Sequence, residues 1–174
     1  VGFVQRFGEP QKVKLSVFEN QFTDLIDYDF GTSKYKNLKR AKTQGVEILH
    51  QYDAVFWDTQ FSLAQVYSKD EDSKQALLRR PVWQGAWDFG YSFFESLRLM
   101  NEFVYIGDRE DSTGANQRVI LPSVTLWNAA LTYKGAYGAQ YFIRVNNLGN
   151  SFYEDIKGYL TPGRFVWLGT KLVF

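Results

Sequence analysis

Side chains able to do covalent chemistry are few in this chain of 174 residues. There is a single histidine, His50, and no cysteine. A thiolate nucleophile, a disulfide or a Cys/His metal site therefore has nothing to be built from. No Ser/His/Asp order, Gly-rich phosphate loop or pair of histidine ligands occurs. Asp58, Asp88 and Glu102 are carboxylates that general acid–base chemistry could use. Each falls on the polar parity of an alternating run, where contact with water or a second domain is the expected role. His50 sits near the end of such a run, close to a turn, and is expected as an interfacial polar residue. Asn146 and Asn147 could bond across strands or cap a loop. No catalytic residue, cofactor or metal site is expected, and the chain reads as something other than an enzyme.

The elements that must position these residues are strands. Eight runs alternate with period two, and a ninth is represented by its tail. Val1–Phe7 is a strand end, and Gly8-Glu9-Pro10-Gln11 is a turn. Lys12–Ile26 is a long strand. Its apolar parity changes from Val13, Leu15 and Val17 to Phe18, Phe22 and Ile26, a slip of one residue that predicts a β-bulge. Asp27–Asn37 reads as a polar loop. Arg40–Gln51 is a strand, Tyr52-Asp53-Ala54 a tight turn, and Val55–Tyr67 the next strand. Val82–Phe93 alternates most cleanly, with Trp83, Trp87, Phe89, Tyr91 and Phe93 against Gln84, Asp88 and Ser92. Leu97–Ile106, Val124–Tyr133 and Ala139–Asn147 follow. The last strand, Arg164–Phe174, carries Val166, Leu168, Thr170, Leu172 and Phe174 on one parity.

Short connections at 8–11, 52–54, 94–96 and 134–138 alternate with long ones at 27–37, 68–81, 107–123 and 150–163. That is the layout of a meandering outer-membrane barrel, with turns on the periplasmic side and loops outside. Aromatic residues make up 18% of the chain, which suits strands and the aromatic girdles of such a barrel. Mean hydropathy is −0.32, and no run of roughly twenty apolar residues is present for a transmembrane helix. A net charge of +1 gives no nucleic-acid footprint. A soluble sandwich or a lipocalin-like barrel would also alternate. The polar parity, however, carries Asp58, Gln60, Gln84, Asp88, Arg98, Glu102, Arg144 and Lys171. A water-filled lumen tolerates these residues and a sandwich core does not. The expected fold is all-β: an antiparallel transmembrane β-barrel of meander topology.

Three stretches resemble TonB-dependent outer-membrane receptors, in particular their cobalamin-transporting branch. The first is Asp24-Leu-Ile-Asp-Tyr-Asp29, with Lys34-Tyr35, Asn37, Lys39-Arg40-Ala41 and Gly45-Val46-Glu47. The second is Leu77-Leu-Arg-Arg-Pro81. The third is Val145-Asn-Asn-Leu-Gly149, with Phe152-Tyr153-Glu154, Gly158-Tyr159, Pro162-Gly163-Arg164 and the terminal Phe174; Leu126-Trp127-Asn128 adds to them. Siderophore receptors of the same family share the third block.

The resemblance implies a 22-stranded barrel closed by an N-terminal plug domain. Residues 1–174 would be its C-terminal part, about eight strands, with the plug and the N-terminal strands absent and two sheet edges left open. Val1 follows no signal-peptide pattern, as expected of a mature or internal piece. The implied location is the bacterial outer membrane. The implied partners are the lipid bilayer, the plug and TonB complex, and cobalamin or an iron–siderophore at the extracellular loops, with no nucleic acid. The first Arg of Leu77-Leu-Arg-Arg matches a ligand contact of the cobalamin branch, which makes Arg79 the expected substrate-binding residue. Its guanidinium suits amide or phosphate oxygens. Solvation, or pairing with Asp70, Glu71 or Asp72, is the other role open to it. A Tyr that the family uses in the next loop has no counterpart in 107–123. The family's calcium loops would lie upstream, so Asp70-Glu71-Asp72 is not read as a metal site. A siderophore receptor, and a self-contained eight-stranded structural or adhesive barrel, are the alternatives.

Overall fold

Alternation becomes one antiparallel sheet. The computed structural model describes residues 1–6, 10–29, 32–113 and 117–172. Its strands are β1 (Gly2–Arg6), β2 (Gln11–Asp29), β3 (Lys34–Asp53), β4 (Trp57–Asp70), β5 (Trp83–Phe94), β6 (Leu97–Ile106), β7 (Arg109–Ser112), β8 (Arg118–Leu121), β9 (Val124–Lys134), β10 (Gln140–Asn146), β11 (Glu154–Ile156), β12 (Tyr159–Leu160) and β13 (Phe165–Lys171). Nine of them form one sheet in the order β1-β2-β3-β4-β5-β6-β9-β10-β13. The hairpins β7–β8 and β11–β12 stand apart, inside two of the segments expected as loops. Among the described residues β1 and β13 pair with no strand beyond them, so the sheet has two open edges, as expected. The terminal Phe174 and half of the first turn, residues 8 and 9, lie outside the described residues.

Register sorts the side chains onto two faces. Phe61, Trp87, Phe103 and Trp127 are successive cross-strand partners, and so are Tyr91 with Leu99, and Leu131 with Ile143. This aromatic face is the one expected to meet lipid. Trp87 stacks on Phe103 at 5.4 Å, and Phe103 on Trp127 at 5.6 Å. Two of the polar residues on this face, Thr59 and Asn101, serve indoles. The Trp87 indole N–H donates to Thr59 Oγ1 at 2.8 Å, and that of Trp127 to Asn101 Oδ1 at 3.0 Å. Both indole donors are thereby paired where they face hydrocarbon.

The opposite face carries the polar set as a unit. Asp88 faces Gln60 on one side and Glu102 on the other. Arg98 reaches across β5 to pair with Asp58, and it donates to Ser92 Oγ at 3.2 Å. It can cross only because Gly90 lies beneath: a Cβ there would run into the guanidinium and the Asp58 carboxylate. Asn128 Nδ2 donates to Glu102 Oε2 at 2.8 Å, and Gln51 Nε2 to Gln60 Oε1 at 2.6 Å.

Three expectations about the elements are corrected. No β-bulge interrupts β2: its pairing with β3 keeps one register from Gln11↔Tyr52 through Asp29↔Lys34. The change of parity has another cause. Val13, Leu15 and Val17 lie on the aromatic face, and beyond them that parity turns polar, with Glu19 and Gln21, while Phe18, Phe22 and Ile26 occupy the opposite face. On β3 the aromatic-face parity changes likewise, from Ile48 and Val46 to Gln44 and Lys42. The strands are 19 and 20 residues long, and about 9–11 span a bilayer. The exchange marks where they leave it. For the same reason 27–29 and 34–37, expected as loop, are strand, while residues 30 and 31 lie outside the described residues. Asp27 pairs with Lys36 and Tyr28 with Tyr35, so the hairpin continues outward and the strict short–long alternation fails there. The tight turn expected at 52–54 falls at 54–56, since Asp53 still pairs with Asp58. A bulge does occur at the end of β5, where Phe93 and Phe94 together oppose Leu97.

Candidate functional site

The long connections at the end remote from the turns are joined to one another. Within β7, Arg109 and Asp111 share a parity, as alternation requires. Asp111 is completely buried, at 0% exposure. A buried carboxylate is tolerable only with charge or hydrogen-bond partners, and this one has three. Its Oδ1 accepts from Arg79 Nε at 2.9 Å and from the Ser112 amide at 2.8 Å; its Oδ2 accepts from the Lys157 amide at 2.7 Å. Those donors belong to three different connections: 71–82, 107–123 and 147–164. Burial pushes the Asp111 carboxyl up. The Lys157 and Ser112 amides and the Arg79 guanidinium outweigh it and hold the carboxyl below the usual range.

Around this centre the contacts repeat. Arg109, its side chain 3% exposed, donates from Nη2 to the Glu154 carbonyl at 2.6 Å and to Asp155 Oδ1 at 3.0 Å. Arg118 pairs with Glu110 and donates to the Ala76 carbonyl at 2.9 Å. Lys157 Nζ sits 2.9 Å from Glu154 Oε2 and holds that carboxyl below its usual range. At the foot of the last connection, the Asn147 amide donates to Asn128 Oδ1 at 2.8 Å, while its side chain exchanges two 2.8 Å hydrogen bonds with Ser151. The structure thus gives Asn147 both of the roles left open for it. Through Asn128 and Glu102, the loop is tied to the polar wall below.

Arg79 lies in this cluster. Its φ of +60° is in the left-handed region, and its amide donates to the Glu110 carbonyl at 2.7 Å. It pairs with Asp111, an acidic residue distant in sequence, at 2.9 Å. In the Asp70–Asp72 run, Asp72 pairs with Arg40 at 3.1 Å and Glu71 with Lys69 at 3.2 Å. Among the described residues no group of three or more His, Cys, Asp or Glu is arranged for a metal ion. Asp58, Asp88 and Glu102 line the polar wall, and of the three Glu102 is linked through Asn128 to the foot of the last connection. His50 stands near the turn end of β3, its Nε2 3.0 Å from the Gln11 amide nitrogen. Asp111, Arg109 and Arg118 escaped the sequence reading. The available signal was the alternating Arg109-Glu-Asp-Ser112 facing Arg118-Val-Ile-Leu121, a short hairpin inside a polar segment.

Residues 1–148 match the family described as TonB dependent receptor-like, beta-barrel. Solved structures agree in fold. The ferripyoverdine receptor of the Pseudomonas aeruginosa outer membrane superposes with a TM-score of 0.74 at 16% identity, over 94% of this chain and 25% of that one. The copper transporter OprC gives 0.79 at 17%, over 97% and 29%. The siderophore receptor PirA from Acinetobacter baumannii gives 0.77 at 16%, over 97% and 30%. The chain therefore spans between 25% and 30% of the length of these three structures.

Proposed function

The chain belongs to the TonB-dependent receptor-like β-barrel family of the bacterial outer membrane, and from that membership we propose that it forms the C-terminal part of a barrel for active nutrient uptake. In this reading the aromatic face meets lipid, the polar face lines the lumen against a plug domain, and the tied loops form one side of an outer vestibule. Energy reaches the receptor through TonB acting on the plug, so this segment alone does not transport. The observation that carries the reading is the Asp111 centre. It holds three connections in one arrangement through groups of this chain alone, which lowers the ordering cost of binding.

The ligand is a large, scarce nutrient taken up as a complex. Arg79 is its proposed contact, with a third of its side chain exposed beside the Asp111 pair. Cobalamin is supported by the likeness of Leu77-Leu-Arg-Arg-Pro81 to the cobalamin branch. An iron–siderophore is the second reading, favoured by what the ferripyoverdine receptor and PirA are named for. Equilibrium binding of cyanocobalamin and of ferric siderophores to the full-length receptor separates the two. Arg79→Ala is expected to weaken the true ligand by about 1–3 kcal/mol, as for a hydrogen bond to a charged group. Unchanged affinity would remove Arg79 from the site.

A further inference from the structure

The turn end of the sheet carries large apolar side chains where a water-exposed turn would carry polar ones. Val55 is 88% exposed and Phe56 64%, at the tip between β3 and β4. Phe94 is 70% exposed, and the bulge at the end of β5 sets it beside Phe93 opposite Leu97, on the aromatic face. Tyr137 is fully exposed at the tip between β9 and β10, in a one-turn 3-10 segment, Ala136–Gly138. Its φ is +56°, a conformation that disfavours any side chain as bulky as tyrosine. Glycines stand on either side, at 135 and 138, so the neighbouring sequence had the residue type that this position prefers. Exposure together with local strain implies that the ring is used.

We propose that these turn tips are immersed in the headgroup layer of the periplasmic leaflet, so that the lipid contact extends past the strand ends and over the turns. Phospholipid is the occupant because the tips continue a surface that already faces lipid. Immediately above them on that face, Tyr52 stacks on Trp57 at 4.8 Å, Tyr91 meets Phe93 edge-on at 4.9 Å, and Tyr133 stacks on Tyr141 at 6.5 Å. Aromatic rings favour that interfacial level. The bulge serves the same end, since it supplies a second phenylalanine to the face where regular pairing would supply one. The proposal concerns the lipid boundary and is independent of which nutrient the receptor carries.

Spin labels on single cysteines replacing Phe56, Phe94 and Tyr137 test it, in the full-length receptor reconstituted in phosphatidylethanolamine–phosphatidylglycerol vesicles. Oxygen accessibility is expected to exceed that to a water-soluble nickel chelate at all three sites, with the reverse at Lys157 in the outer loops. Chelate accessibility equal to that at Lys157 would overturn the proposal. So would labels shielded from both reagents, which would mean a protein partner. Because cysteine removes the ring, p-benzoylphenylalanine at positions 56 and 137 provides a second reading, with position 57 as the lipid-facing control. Phospholipid adducts support the proposal; adducts to a periplasmic protein, or none where position 57 gives them, overturn it.

Discussion

Asp111 shows how much one carboxylate can organise. Replacing it with Asn keeps the shape and removes the charge that Arg79 and two amides address. Asp111→Asn is expected to speed hydrogen exchange at the Ser112 and Lys157 amides by about 10- to 100-fold, or roughly 1–3 kcal/mol of local stability. The pH dependence follows from the depressed pKa. A carboxyl held below its usual value contributes stability that is fully present above the ordinary Asp range, near about 3.9. That contribution is lost as pH falls through the lower, folded value. Amide protection in the loops is therefore expected to be the same at pH 7 and pH 5 and to fall only below the ordinary range. A second residue-scale test lies on the lipid face. Trp127→Phe strands Asn101 without its donor and is expected to cost about 1–3 kcal/mol of folding stability in vesicles, while Trp127→Phe with Asn101→Leu recovers most of it.

At the scale of elements, legibility followed periodicity. The strands of the sheet were readable because a half-exposed strand must alternate, and the eight polar side chains singled out from Asp58 to Lys171 do share one face. What escaped has a physical reason in each case. The parity change in β2 suggested a bulge because period-two reasoning assumes one environment along a strand. Here the strand passes from lipid into water, and the side that favours apolar residues changes with it. The segment 27–37 looked like a loop because an extended hairpin standing in water has no apolar face to show. The Asp111 centre was invisible because its donors are 32 and 46 residues away in sequence. Charge insertion measures the boundary. Leu63→Arg, in the middle of the lipid face, is expected to cost about 2–4 kcal/mol in vesicle unfolding. Gln44→Arg, on the same face beyond the exchange, is expected to stay within about 0.5 kcal/mol.

For the whole molecule, the two open edges matter most. Unpaired strand edges recruit other strands, and both β1 and β13 present one. The 174-residue segment refolded alone in detergent is expected to form edge-to-edge oligomers by light scattering, and the full-length receptor to remain monodisperse. The outer hairpin carries a different consequence. Above the pairing of Ala41 with Asp70, β2 and β3 rise past β4 as a post of their own, in one register that skips only the rung at Asp24, whose φ is +57°. A post of matched rungs can be shortened two rungs at a time without turning what stands above or below. Removing Ile26-Asp27 together with Lys36-Asn37 takes out two such rungs, so receptor height above the cell surface becomes an adjustable dimension of this protein, separable from the wall that holds it in the membrane.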